Sequence, residues 1–290
     1  MIVVSVQEEK NVTKDILMSL LTLFILISSI CTPTKDVMAS DQEYGNWGKP
    51  FGAELWDCRM NVNVSMRDLN RALDEYGSLI EEQGLKEYKA AIWTPIYATM
   101  PNVERSVFWS GYWPLEADGK AIDALQSNYS KISKILDPVI TCRSKVYYWG
   151  WHLFNGLETD PESNRIVNVQ HCSYKTEWDN LRGQLNAKTD SDLLAANKKL
   201  RAHLEKHDLV DVNSYQLWPN SGFSFADPMD RYDFIWITEY KNFTHLSERM
   251  RRLIYEYDYW NLYSDLLLPL IDCDTQQSFR SRKITGTSST

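Results

Sequence analysis

The sequence predicts an α+β protein built from two tandem β-α-β-β-α-β repeats, and three observations carry that reading. First, the stretch from Ser65-Met66-Arg67-Asp68-Leu69 to Trp93-Thr94-Pro95 recurs as Thr189-Asp190-Ser191-Asp192-Leu193 to Leu217-Trp218-Pro219. Second, the register is constant: Ser65 and Thr189, Asp68 and Asp192, Leu85 and Leu209, Pro95 and Pro219 each lie 124 residues apart. Third, the alternation of strand-like and helix-like patterns follows the same order in both copies. A period this long marks two copies of one small domain, not an array of short repeats.

In the first copy, Ala53 to Val64 is a strand-like run with Leu55, Trp56 and Met60 among polar residues. Ser65 with Asp68 three residues later resembles a capping box, and Leu69, Leu73, Tyr76 and Ile80 then recur at helical spacing. Gly84 closes that helix. Strands are expected at Tyr88 to Ala98 and Val107 to Trp113, a helix at Ala121 to Ile135, and a last strand at Ile140 to Phe154.

The second copy gives Val167 to Lys175, Asp190 to His207, Val212 to Trp218, Tyr232 to Tyr240, Leu246 to Tyr257 and Ile271 to Phe279. An insertion near Glu177 to Lys188 separates its first strand from the capped helix. The offset grows to 127 at Trp109 and Trp236 and to 131 at Cys142 and Cys273, as loops accept extra residues while element order persists. The expected organisation is therefore 1–39 signal peptide, 40–52 flexible lead-in, 53–154 first repeat, 155–165 linker, 166–280 second repeat and 281–290 tail.

A β-α-β-β-α-β unit is the ferredoxin-like split βαβ, and two in one chain can pair their sheets face to face. In element order and duplication, residues 53–280 resemble the dimeric α+β barrel superfamily, which includes the antibiotic-biosynthesis monooxygenase, NIPSNAP and EthD families. The resemblance implies an intramolecular barrel made from the two repeats. No catalytic motif of those families can be matched residue by residue, so fold is implied and activity is not.

The first and last strands of a ferredoxin-like sheet are neighbours. Cys58 would therefore pair with Cys142, and Cys172 with Cys273, in an oxidising compartment. Four buried free thiols are the alternative. Zinc is disfavoured because no CxxC is present. Export fits the apolar run Ile16 to Ile30, preceded by Lys10 and Lys14 and followed by the small-residue site Val37-Met38-Ala39. An uncleaved anchor is the alternative, although this run is short for a bilayer span. Cys31 raises lipidation, which the preceding Ser29-Ile30 fits poorly.

The net charge of -8 and the lack of any Lys/Arg segment with interleaved aromatics argue against a nucleic-acid partner. No nucleophile elbow, phosphate loop, dinucleotide fingerprint or HExxH occurs, which disfavours the common enzyme classes with local motifs; the five histidines raise a metal or haem reading, but they match no such motif and no cofactor is expected. His203 and His207 read as solvent-facing beside Lys198, Lys199 and Lys206, and His245 opens a helix.

The chain is rich in Trp (eleven) and Tyr (sixteen), which directs attention to aromatic faces. In the third strand of the second copy, Ile235 and Ile237 alternate with Phe234, Trp236 and Thr238. The aliphatic face is expected to pack on helices and the aromatic face to line the space between the sheets. By the 127-residue offset, Trp109 and Trp113 join Trp236 and Tyr240 on that face. Arg59, Asn61, His171 and Glu239 are the polar candidates by strand position. Three readings follow: a binder of a small apolar or aromatic molecule, a cofactor-free monooxygenase-like or isomerase-like enzyme, or a structural protein whose rings fill the interface.

Overall fold

The computed structural model describes residues 50–85, 87–97, 105–157, 165–179, 184–187, 189–223 and 232–284. The expected signal peptide, most of the lead-in, the centre of the linker and most of the tail lie outside the described residues. The first half runs β1 (Phe51–Met60), α1 (Met66–Glu82), β2 (Lys89–Tyr97), β3 (Ser106–Pro114), a 3-10 turn (Leu115–Ala117), α2 (Asp118–Ser127), α3 (Tyr129–Leu136) and β4 (Ile140–Asn155). The second runs β5 (Arg165–Tyr174), β6 (Thr176–Asp179), β7 (Gln184–Ala187), α4 (Asp190–Lys206), β8 (Asn213–Phe223), β9 (Phe234–Tyr240), α5 (Phe243–Tyr255), α6 (Tyr259–Leu266), β10 (Ile271–Cys273) and β11 (Gln277–Lys283).

The two capped helices, α1 and α4, form for the same local reasons. Before α1 the Asp68 N–H donates to Ser65 Oγ (3.3 Å) and the Ser65 N–H to Asp68 Oδ2 (3.1 Å); before α4 the Thr189 N–H donates to Asp192 Oδ2 (2.9 Å). Leu69, Leu73, Tyr76 and Ile80 are buried along one face of α1. Both helices end at a left-handed residue, Gly84 (φ 70°) and Asp208 (φ 52°), again 124 apart. From there Leu85 and Leu209 turn inward, their N–H groups donating to the Ile80 and Leu204 carbonyls (3.4 and 2.9 Å).

Several expected elements are subdivided. The helix expected over 121–135 breaks at Asn128, whose Nδ2 donates to the Ala124 carbonyl (2.9 Å) and to Gln83 Oε1 (3.1 Å), a side-chain competitor for the backbone ladder. The helix expected over 246–257 starts at Phe243, capped by Asn242, and a further helix follows left-handed Asp258 (φ 49°). The insertion is the β6–β7 hairpin, and the last strand is split into β10 and β11.

Eight strands pair antiparallel in the order β5-β11-β2-β3-β1-β4-β8-β9, and β9 pairs with β5 to close the ring, while β10 adds to β5. Closure leaves the ring without a free edge. Each half contributes its strands in the same sequence, β4-β1-β3-β2 and β11-β5-β9-β8, and the halves meet at β2–β11 and β4–β8. Pro95 and Pro219 lie at those two seams. Pro95 pairs with Phe279 and Pro219 with Tyr148, and in each case the next residue, Ile96 or Asn220, is skipped in the ladder. A proline has no N–H to donate, so a bulge is where a strand tolerates it.

Apolar cores lie on both faces of the barrel wall. Outside, Leu69, Leu73, Ile80 and Trp109 belong to a core under α1–α3, and Leu193, Leu200, Phe234 and Leu253 to a core under α4–α6. Inside, Phe51, Ala53, Trp93, Val167, Leu217 and Ile237 share the lumen. Two disulfides, Cys58–Cys142 and Cys172–Cys273, join the first and last strands of each half at directly opposed positions. Among the described residues no helix is long and apolar enough to cross a membrane.

Candidate functional site

The lumen holds two chambers, one more polar than the other. Ala53, Val167, Leu217 and Ile237 belong to the lumen core and line neither chamber, so the middle of the barrel is packed. One end holds a polar chamber of about 160 Å³, the other an apolar chamber of about 380 Å³.

Glu239 on β9 is the hub of the polar chamber. Its carboxylate pairs with Arg165 Nη1 on β5 (2.7 Å) and accepts from Asn213 Nδ2 (3.1 Å) and Tyr215 OH (3.0 Å) on β8. Burial and the neighbouring carboxylate push the Tyr215 hydroxyl far above its ordinary range, which keeps it a donor. His152 on β4 stacks near Phe51 (4.6 Å between centroids), and its Nδ1 is buried without a hydrogen-bond partner. Burial holds the His152 imidazole down at about 4, so it is uncharged at neutral pH. This end is small, and its carboxylate already accepts from three donors.

The apolar chamber is walled by Leu55, Trp93, Phe108, Val146, Ile235 and Phe279, with Asp57, Arg143, His171 and Gln277 also on its lining. Tyr148 and Tyr232 join hydroxyls across it (2.8 Å). Burial raises the Asp57 carboxyl against the pull of Arg143. His171 is oriented by Asp274, which accepts its backbone N–H (2.8 Å) and meets its Nδ1 (3.0 Å), and its ring lies 4.7 Å from that of Tyr232. Trp93 is 2 % exposed, and its indole N–H is buried with no hydrogen-bond partner. A donor left so in an apolar setting costs about 1–3 kcal/mol, which an acceptor placed there would recover.

The expected aromatic walls face the other way. Trp109 and Trp113 lie in the core under α1–α3, and Trp236 and Tyr240 pack in the core under α4–α6. Their polar atoms have protein partners: Trp109 Nε1 donates to Glu54 (3.0 Å), Trp113 Nε1 to Asp118 (2.6 Å) and Trp236 Nε1 to Ser214 Oγ (3.0 Å). Ile235 and Ile237, expected against the helices, face the lumen. The alternation reveals two faces, but in a closed barrel both are buried, and nothing in the pattern says which is inside.

Of the polar candidates, Glu239 and His171 do reach the lumen, at opposite ends. Arg59 lines neither chamber. Asn61 lies past β1, where its Nδ2 donates to the Asp137 carbonyl (2.7 Å) and its Oδ1 accepts from Thr141 (2.8 Å), a loop-fixing role. The expectations missed Trp93, Arg165, Tyr215 and His152. Only Trp93 had a signal, since it stands in the duplicated motif ahead of Pro95, in register with lumen-facing Leu217.

No protein-family model matches this chain, and no curated protein matches it at a significant level. Solved structures do. A heme-binding protein from Thermus thermophilus is 8 % identical with a TM-score of 0.47, over 81 % of this chain and 92 % of its own. A protein from Lactobacillus acidophilus, described as a monooxygenase candidate, is 7 % identical with a TM-score of 0.47, over 82 % and 95 %. A variant chlorite dismutase from Candidatus Nitrospira defluvii is 10 % identical with a TM-score of 0.44, over 84 % and 95 %.

Proposed function

We propose that the chain is a tandem duplication of one ferredoxin-like unit, and that the apolar end of its lumen binds a small apolar or aromatic molecule carrying a hydrogen-bond acceptor. The observation that carries this reading is a chamber of about 380 Å³ walled mainly by apolar side chains, among them Trp93, whose indole N–H has no hydrogen-bond partner. Mostly apolar walls with a few convergent polar groups are what small-molecule sites have in common. The duplication is supported by the 124-residue register, the matching strand order in each half and the two seam prolines.

The test compares acetophenone, which has a carbonyl acceptor, with ethylbenzene, which has none, by tryptophan fluorescence titration. Acetophenone should bind about tenfold more tightly, and Trp93→Phe should remove that advantage while leaving weak binding of both. If neither compound binds, the chamber is not a ligand site.

Export of the protein is part of the same proposal, supported by the Ile16 to Ile30 run, the Val37-Met38-Ala39 site and the two disulfides. The mature chain should begin near Ser40. An intact Met1 terminus found by mass spectrometry in the cytosolic fraction would overturn it.

A further inference from the structure

His171 of β5 and Asp274, which follows β10, flank the Cys172–Cys273 bridge and are clasped at three points. The Asp274 N–H donates to the His171 carbonyl (2.9 Å), the His171 backbone N–H donates to Asp274 Oδ1 (2.8 Å), and Asp274 Oδ2 meets His171 Nδ1 (3.0 Å). A carboxylate at Nδ1 makes that nitrogen the protonated one of a neutral imidazole and leaves Nε2 as the base. Nε2 has no hydrogen-bond partner among the described residues, and His171 is on the lining of the apolar chamber whereas Asp274 is not. The two side chains are 35 % and 42 % exposed, so a proton taken up by the ring can pass to water.

Holding the strands together does not require this pair. The same places beside the Cys58–Cys142 bridge, one residue before the first cysteine and one after the second, carry Asp57 and Arg143, which also line the chamber. On that lining Tyr148 and Tyr232 share one hydrogen bond between their hydroxyls, and the Tyr232 ring lies 4.7 Å from that of His171. Burial raises both hydroxyls above the ordinary tyrosine range, so both keep their protons. Two O–H protons and one shared bond leave one proton for another acceptor.

We propose that His171 is a general base, positioned by Asp274, that removes a proton from the carbon next to the carbonyl of a ketone held in the apolar chamber. This rests on the reading that the chamber takes a small molecule. The C–H bond breaks, its electron pair becomes the C=C bond of an enolate, and the proton goes to Nε2, the resulting imidazolium being held by the Asp274 carboxylate. The carbonyl π pair moves onto oxygen, where the tyrosine pair has a proton to donate as negative charge develops. Return of a proton from the imidazolium regenerates the ketone. Nothing is oxidised or reduced, and only protons are traded with solvent.

Acetophenone, whose methyl protons are enolisable, serves as the probe. In D2O, loss of the methyl proton signal should be about a hundredfold faster with the parent protein than with the same concentration of free imidazole. His171→Gln should return exchange to the level of buffer, and Asp274→Asn, which removes the charge that holds the imidazolium, should slow it by about tenfold, both with an affinity for acetophenone within about twofold of the parent's by fluorescence. Should His171→Gln not fold, Asp274→Asn decides. Acetophenone bound without exchange, or exchange that survives these variants, overturns this proposal and leaves the lumen reading standing. Exchange and affinity lost in step would make the pair structural and overturn it as well. If acetophenone does not bind at all, both readings fall together.

Discussion

Replacing Cys58 and Cys172 by alanine should leave a chain that is largely unfolded at room temperature. Each bridge closes a long loop, with sequence separations of 84 and 101 residues. Chain-entropy estimates for such loops give about 4–5 kcal/mol apiece. Removing both is then worth about 9 kcal/mol, within the range of about 5–15 kcal/mol that typically separates a folded domain from its unfolded chain. The losses should be nearly equal and nearly additive, because the bridges lie in different halves and different cores. Each single alanine variant should remain folded with a clearly lowered urea midpoint. The same denaturation run on the parent with and without reductant gives an independent check. If reductant leaves the midpoint where it was, the bridges contribute nothing and the expectation fails.

The ion pair in the polar chamber should give the next largest effect. Arg165 and Glu239 meet at 2.7 Å with side chains only 17 % and 12 % exposed, far from the solvated regime in which such pairs are worth under about 1 kcal/mol. Arg165→Met keeps an apolar stem but leaves the carboxylate with the neutral donors Asn213 and Tyr215, Lys89 and Lys283 being the other cations on the chamber lining. Removing one partner of a buried pair destabilises by up to about 3–5 kcal/mol. Adding Glu239→Gln to that variant should recover much of the loss, since the charge then disappears with its partner. The double-mutant cycle, read by thermal unfolding, decides: a loss below about 1 kcal/mol, or a double variant no better than the single, would show the pair to be solvated in practice.

Much of the architecture could be read from the chain because it depends on local rules stated twice. Ser65 with Asp68 and Thr189 with Asp192 start helices, Gly84 and Asp208 stop them, and the cysteine spacing in each half fits neighbouring first and last strands. The site was less legible. Sequence alternation separated Ile235 and Ile237 from Phe234 and Trp236, but could not say which set looks inward.

That difference follows from range. Caps, turns and strand periodicity are settled by residues a few positions apart, and the recurring motif states the signals twice, so the sequence alone determined the two capped helices and the order of the main strands, whereas the cysteine pairs stood beside free thiols until the strands were brought together. The inside of the barrel, the meeting of Arg165 with Glu239 across 74 residues, and the burial of Glu54 under Tyr88 and Trp109 were decided only by the tertiary structure. They depend on how far each sheet twists before the halves close at β2–β11 and β4–β8, and an apolar core lies on both faces of the resulting wall.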